Sequence, residues 1–313
     1  MDFNLLLQEI EKFDSIVIYR HENPDVDACG SQFGLKSWLE DNYPNKKIYA
    51  FGEEECNQRP FPTNDIETED IVEESLAIIL DTANTARLDG KYYQKAKYLI
   101  KIDHHPNIEP YGDLMFVDSK YAAACEILTE CFSSFENKVI SHMTAEYLYS
   151  GLLTDTLCFR TSNTTANTLR MASILTTYDI QIAELNRILF DQKLDEFKFG
   201  TYIRENVQII QNQIAYLIIS HEVLNQYGIE SSKARAMIDE LGHVKEFKVW
   251  IIFTEEVHDD GTIDYSASLR SKTIAVNDVA QKYGGGGHLN ASGVKKLTYL
   301  QINEILDIFT NRL

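Results

Sequence analysis

One ten-residue stretch limits what this chain can become: Tyr98-Leu-Ile-Lys-Ile-Asp-His-His-Pro-Asn107. Its apolar run reads as a buried β-strand that delivers Asp103, His104 and His105 to its carboxyl end, where Pro106 forbids further regular pairing. Open α/β sheets bind ligands at the carboxyl ends of their strands. Taken alone, a solvated Asp-His-His turn reads equally well. Two further strand ends loaded with carboxylates decide against it.

The first of these follows Ser15-Ile-Val-Ile-Tyr19, a continuous apolar run of the kind buried on both faces of a parallel sheet. It comes after an amphipathic opening helix over 4–13 and ends in Arg20-His21-Glu-Asn-Pro-Asp25-Val-Asp27. A helix then runs from near Ala28 to Asp41, and Gly30, Ser31 and Gly34 allow close approach at its beginning. Between a strand end and a helix, offsets of four and two let His21, Asp25 and Asp27 face one point. Imidazole with carboxylates suits Mn²⁺, Fe²⁺ or Co²⁺ better than Ca²⁺ or a structural zinc. Asp25 or Asp27 acting only as a helix N-cap is the plainer alternative. A second strand is expected at Lys47–Phe51, then a polar, acidic loop to about residue 72. Ser75-Leu-Ala-Ile-Ile-Leu-Asp81 repeats the pattern of strand into aspartate, Lys97–Asp103 is the third instance, and Leu114–Val117 is the next strand. Three adjacent parallel strands would bring His21, Asp25, Asp27, Asp81 and His104, with His105 beside them, to one rim. So much carboxylate in one crevice must be neutralised, and metals do that directly.

From Ala122 the pattern is helical, over about 122–134, 141–154 and 165–178, with Asp155 following the second helix. Residues 181–211 read as a connecting helical segment. Strands over Gln213–Ser220, Phe247–Phe253 and Thr262–Leu269, with helices near 276–282 and 298–312, place a smaller α+β domain at about 212–313. It contains Gly284-Gly-Gly-Gly-His288. Four glycines alone read as a flexible turn. With His288 after them, and Arg270-Ser271-Lys272 at a strand end, they read as an anion grip built from exposed amides and a guanidinium fork.

The 313 residues suffice for two domains, and 44% hydrophobic content with 11% aromatics supports real cores. Lys and Arg number 29 against 48 Asp and Glu, a net charge of −19. That argues against coating long nucleic acid, while bound divalent metals would still admit a small phosphorylated substrate. Five cysteines without a Cys-x-x-Cys favour reduced thiols in the cytoplasm. The N-terminus lacks a signal-peptide pattern and no apolar run approaches the ~18 residues of a membrane span.

His21-Glu-Asn-Pro-Asp25-Val-Asp27, Asp81-Thr-Ala-Asn84, Asp103-His104-His105 and Thr154-Asp155-Thr resemble the four motifs of the DHH phosphoesterases. Gly284 to Gly293 resembles the glycine-rich motif of their DHH-associated C-terminal domain, which the family's inorganic pyrophosphatases lack. The resemblance covers essentially the whole chain and is strongest to the bacterial nanoRNase branch. It implies an α/β catalytic domain over 1–185 with a mainly parallel sheet, a helical linker over 186–211 and a substrate-binding α+β domain over 212–313, with the site in the cleft between them. It further implies two Mn²⁺ ions, with Co²⁺ or Mg²⁺ as substitutes. His21, Asp25 and Asp81 would hold one; Asp27, Asp81, His104 and Asp155 the other. His105, Arg270 and His288 would contact the substrate phosphate; His105 is taken as catalytic together with Asp103, which is placed to orient its neighbours, and Ser271, Gly285, Gly286 and Gly287 are taken as further substrate contacts. The implied activity is attack of a metal-bridging hydroxide on short oligoribonucleotides, releasing mononucleotides, and on 3′-phosphoadenosine 5′-phosphate, releasing AMP. Long duplexes and membranes are not expected partners, and a homodimer stays open. Hydrolysis of cyclic di-AMP or its linear product is the alternative; a non-catalytic nucleotide-binding module would require a lost ligand, and all are present. One departure is visible: where the family often has Thr-Asp-Thr-Gly-Arg-Phe, this chain has Leu157-Cys158-Phe159 after Thr154-Asp-Thr.

Overall fold

The structure, a computed structural model, describes residues 1–56, 59 and 61–313, with His288 described by its backbone only. The chain divides into two compact units, Met1–Asp191 and Gln192–Leu313.

The first unit runs α1 (Asn4–Lys12), β1 (Ser15–Tyr19), α2 (Val26–Asn42), β2 (Lys47–Ala50), α3 (Glu69–Glu73), β3 (Leu76–Leu80), β4 (Tyr98–Asp103), β5 (Leu114–Val117), α4 (Ala124–Ser133), α5 (His142–Asp155), α6 (Ala166–Thr176) and α7 (Ile182–Phe190). Its five strands form a wholly parallel sheet in the order β2-β1-β3-β4-β5. Alternation along the strands explains the two cores. Ile16, Ile18, Leu76, Ile78, Leu80, Ile100 and Ile102 face the helices α2, α4 and α5, while Val17, Tyr19, Ala77 and Ile79 face the other side with Phe51 and Leu88. From β1 the chain goes first to one neighbour, β2, and then returns to the other, β3. The carboxyl ends of β1 and β3 are therefore a topological switch point, the crevice where such sheets take ligands. The anticipated strand ends carrying His21, Asp81 and Asp103 are adjacent in the sheet.

Helix α2 starts at Val26, two residues before the expected point, because Asp25 caps it: its carboxylate accepts the Ala28 amide at 3.0 Å. It is buried along most of its length against α5. A Cβ on Gly30 would stand 2.7 Å from the Tyr147 carbonyl oxygen, and one on Gly34 would stand 2.8 Å from Leu148 Cδ2. The close approach expected of these glycines is real. Trp38 of α2 stacks on Phe132 of α4 at 4.3 Å.

The second unit comprises α8 (Leu194–Asn206), β6 (Gln208–Ile210), β7 (Ile214–Ile219), α9 (His221–Tyr227), α10 (Ser231–Ala236), α11 (Asp239–Gly242), β8 (Val249–Val257), β9 (Ile263–Ser271), α12 (Asn277–Lys282), β10 (Gly286–His288), β11 (Ala291–Leu297) and α13 (Tyr299–Arg312). Its sheet has the order β10-β11-β9-β8-β7-β6, with β7 and β8 parallel and the other pairs antiparallel. Phe199 and Ile203 of α8 lie in this unit's core with Leu217, Trp250 and Ile252. On the opposite face, Ile251, Phe253 and Leu269 pack with Val279 of α12 and Ile302, Ile305 and Phe309 of α13. Two elements differ from the sequence reading. Residues 208–210, inside the expected helical segment, are a strand because they find a partner at 214–216. The glycine run is a strand as well: β10 pairs with β11, so the backbone there is laddered and not a free loop.

Candidate metal centre

The site is built from three strand ends and two helix ends of the first unit, the start of α2 and the end of α5. At the end of β1, His21 donates its Nδ1–H to the Glu22 carbonyl at 2.8 Å, which turns Nε2 toward Asp81 Oδ2 at 3.4 Å and Asp25 Oδ2 at 3.8 Å. Asp25 serves two purposes with separate oxygens: Oδ1 caps α2 and Oδ2 faces His21. Capping and metal binding, posed as alternatives from sequence, are compatible.

Asp27 is wholly buried. Its Oδ2 accepts the Ala124 amide at 2.7 Å and its Oδ1 the Cys125 amide at 3.0 Å, so the first turn of α4 holds the carboxylate. Asp81 follows β3 with φ at +48°, a left-handed conformation that a non-glycine residue rarely takes without support. It is buried, and its Oδ1 has no aligned hydrogen bond among the described residues, although His104 Nε2 lies 3.2 Å away and His105 Nδ1 3.4 Å away. His104 Nε2 also faces Asp155 Oδ2 at 3.4 Å and Asp27 Oδ2 at 4.0 Å. Asp155 closes α5, and Gly151 one turn earlier lets it close: a Cβ at 151 would stand 2.8 Å from Asp27 Oδ1 and 2.5 Å from Cys125 Sγ.

Three sets of donor atoms therefore gather within 4.8 Å: His21, Asp25 and Asp81; Asp27, His104 and Asp155; Asp81, His104 and His105. All six residues expected to ligate metal come together, with Asp81 central. Burial, then the Asp81 charge, pushes the Asp27 carboxyl up to about 7, and the same two causes raise Asp25. Burial and then Asp27 raise Asp155 well above the carboxylate range. Burial alone would lower His104, but Asp81, Asp27 and Asp155 outweigh it and push the imidazole up to about 10; His21 is likewise raised by Asp81 against its burial. Burial would raise Asp81, yet the facing imidazoles hold it below the usual range. A cluster whose burial and mutual charges raise most of its members in this way, around a buried oxygen with no aligned hydrogen bond among the described residues, fits divalent cations, which replace protons with charge of the same sign.

Asp103 and His105 form a separate contact. Asp103 is buried, and its Oδ1 accepts both the His105 Nδ1–H at 2.8 Å and the His105 amide at 3.1 Å. The rings of His104 and His105 lie side by side, centroids 4.5 Å apart. They do not take the opposite sides that strand alternation implies, because β4 ends at Asp103 and neither histidine is in the strand.

In the second unit Arg270 is half-buried on β9 and donates from Nη1 to the Leu269 carbonyl at 3.0 Å. Ser271 is engaged within the protein: its hydroxyl donates to the Ile274 carbonyl and accepts from Asn290 Nδ2. Gly285 and Gly287 are demanded by the hairpin, where a Cβ would stand 2.2 Å from the Gly293 oxygen and 2.4 Å from the Ala291 oxygen, the second at φ +136°. A Cβ on Gly286 would meet nothing within 4 Å. The side chain of His288 lies outside the described residues. By register, positions 270 and 288 both pair with Ala291, which places them in one cross-strand row. Sequence reading missed Gly151, the α4 amides on Asp27, and Lys101. Only Lys101 left a sequence signal, as a charge in an apolar strand.

A parallel sheet with imidazoles and carboxylates gathered at its switch point is an α/β architecture suited to phosphoester chemistry, and the chain belongs to one family of that kind, the DHH phosphoesterases. Residues 15–152 match the model of the DHH family, N-terminal domain, and residues 211–313 that of the DHHA1 domain. The chain is 36% identical to the "Probable bifunctional oligoribonuclease and PAP phosphatase NrnA" of Streptococcus mutans serotype c, over 99% of each chain. It is 35% identical to the "Bifunctional oligoribonuclease and PAP phosphatase NrnA" of Bacillus subtilis (strain 168), over 96% of this chain and 95% of that one. Among solved structures, an exopolyphosphatase-related protein from Bacteroides fragilis shares the fold with a TM-score of 0.86 at 20% identity, covering 99% of this chain and 95% of that one. No helix among the described residues is long and apolar enough to cross a membrane.

Proposed function

We propose that this protein is a manganese-dependent phosphoesterase that hydrolyses short oligoribonucleotides to mononucleotides and dephosphorylates 3′-phosphoadenosine 5′-phosphate to AMP. The observation that carries the reading is the convergence of His21 and Asp25 on Asp81, and of Asp81, Asp27 and Asp155 on His104. His21, Asp25 and Asp81 would hold one cation, and Asp27, Asp81, His104 and Asp155 the other. Bound there, two Mn²⁺ ions would acidify a water and neutralise charge on the attacked phosphate. Mn²⁺ suits this donor set, and Co²⁺ and Mg²⁺ are the substitutes to try.

The chain's own groups do the rest. The α4 amides and the α2 cap hold Asp27 and Asp25 in place, so these two carboxylates are preorganised as charge develops. Asp103 holds the His105 proton on Nδ1, and His105 is assigned to exchange a proton with the leaving ribose oxygen. As water oxygen bonds to phosphorus in line, the P–O bond to that ribose breaks and its oxygen takes the proton. Arg270, Ser271, His288 and the glycines Gly285, Gly286 and Gly287, which let a ligand come close to the backbone, are assigned to the substrate's phosphates. The affinity is local to these groups, as suits a chain of net charge −19, and its five cysteines, none in a disulfide, suit a reducing cytoplasm.

The test is purified protein with Mn²⁺ assayed on dinucleotides, longer oligoribonucleotides, 3′-phosphoadenosine 5′-phosphate and cyclic di-AMP. Turnover of the dinucleotide and of 3′-phosphoadenosine 5′-phosphate, removed by chelation, is expected. Turnover of cyclic di-AMP alone would replace this reading, and tight nucleotide binding without turnover would make the protein a binding module.

A further inference from the structure

Lys101 stands in the middle of β4 with no exposed surface, between Ile100 and Ile102 of the core. A wholly buried ammonium in a central strand is costly unless something holds it. Alternation puts Lys101 and Asp103 on the same face, opposite those isoleucines. There the ammonium donates to the Ala83 carbonyl at 2.9 Å, lies 3.3 Å from Asp103 Oδ2 and sits over the Tyr111 ring at 4.3 Å. Each contact leads into the site. Asp103 Oδ2 has no aligned hydrogen bond among the described residues, so Lys101 is the charge that offsets its burial, while Oδ1 holds His105. Ala83 is two residues beyond Asp81, in the turn that keeps Asp81 at φ +48°, and the Tyr111 hydroxyl donates to Thr82 of the same turn at 2.6 Å.

We propose that Lys101 is a positioning residue: one buried ammonium fixes Asp103, and through it the ring and tautomer of His105, and at the same time fixes the turn that carries Asp81. The inference rests on the reading of His105 as the group that meets the leaving oxygen. Lys101 touches neither metal ligand nor substrate, so its removal acts through these partners.

The test compares Lys101→Met, which keeps the length without charge or donor, with Lys101→Gln, which keeps a donor. Both are measured as the full chain loaded with Mn²⁺ on a dinucleotide, and loaded with Mg²⁺ for ¹⁵N-histidine spectra, with His105 assigned by a His105→Gln variant. Lys101→Met is expected to keep two metals per chain and a KM within about three-fold, and to lose ~10–100-fold in kcat. Lys101→Gln should recover part of that loss. The wild-type His105 should carry its proton on Nδ1, and Lys101→Met should give a mixture of tautomers. Unchanged kcat and tautomer in Lys101→Met, or a kcat loss that follows metal loss, would overturn the proposal. Should Lys101→Met fail to fold, Lys101→Gln and the wild-type spectrum decide, since a wild-type proton on Nε2 overturns it alone. A wild type that leaves the dinucleotide intact would sink the functional reading and leave the tautomer comparison standing.

Discussion

The two histidines after β4 share Asp81 as a neighbour but differ in their other partners, and this separates what their loss should do. His104 Nε2 faces Asp81, Asp27 and Asp155, whereas His105 Nδ1 is taken by Asp103. His104→Ala should therefore lower bound manganese below two per chain and abolish turnover. His105→Ala should keep both metals and lose about 10²–10⁴-fold, the usual worth of a positioned acid or base. Metal counting on the two variants checks this, and metal lost from the His105 variant but kept by the His104 variant would reverse the roles. The departure at Leu157-Cys158-Phe159 is also a residue-scale matter. These three residues take φ of +46°, +58° and +64°, a left-handed run. Glycine, which the family often has at the first of them, fits that conformation; Leu157 does not, and its side chain is exposed. Leu157→Gly should raise stability by about 0.5–1 kcal/mol once the greater freedom of glycine in the unfolded chain is deducted. Phe159 packs on the core, so Phe159→Gly should destabilise despite the same φ. A melting curve that falls for both would refute the strain argument.

At the scale of elements, the contact of α2 with α5 sets the distance between Asp27 and Asp155. Gly151 has no room for a methyl group between Asp27 and Cys125. Gly151→Ala should force these helices apart, destabilise by about 1–3 kcal/mol as overpacking does, and weaken manganese at the set formed by Asp27, His104 and Asp155. Full metal occupancy at wild-type affinity in a folded Gly151→Ala variant would show that the helices yield without moving the ligands. Elements differed in how readable they were beforehand. Strands β1, β3 and β4 announced themselves because both faces are buried, leaving nearly unbroken apolar runs. Gly30 and Gly34 stood out by type. Gly151 did not, because the neighbours that exclude its methyl group, Asp27 and Cys125, are far away in sequence. Strand β6 and the glycine hairpin were obscured for the same reason: pairing with 214–216 and with 291–293 is non-local and overrides local propensity. The short helices over 221–242 lack the length for a visible period.

For the molecule as a whole, the cluster of carboxylates and imidazoles around Asp81 and His104 sets how stability depends on pH. In the unfolded chain the site carboxyls titrate in the ordinary range and the histidines near 6.5. In the fold Asp27 is pushed up to about 7, mainly by burial and then by Asp81, with Asp25 and Asp155 raised alongside; His104 is pushed up to about 10 and His21 is raised. A group raised in the folded state contributes stability that is complete below its unfolded pKa and is lost as pH rises through the folded one. All five act in the same direction. The lowered groups, Asp81 and Asp103, contribute stability that is lost only as pH falls below the carboxylate range, outside this window. Protein stripped of divalent metal should therefore lose stability as pH rises from about 4 to 8, Asp27 alone accounting for on the order of 4 kcal/mol over that whole range. Divalent cations take the place of those protons, so added Mn²⁺ should raise the melting temperature more at pH 8 than at pH 5.5. The check is a melting series at the two pH values with chelator and with Mn²⁺. A stripped protein that melts higher at pH 8 than at pH 5.5 would mean that the cluster does not hold its protons, and with that the electrostatic argument for the metal pair would fall.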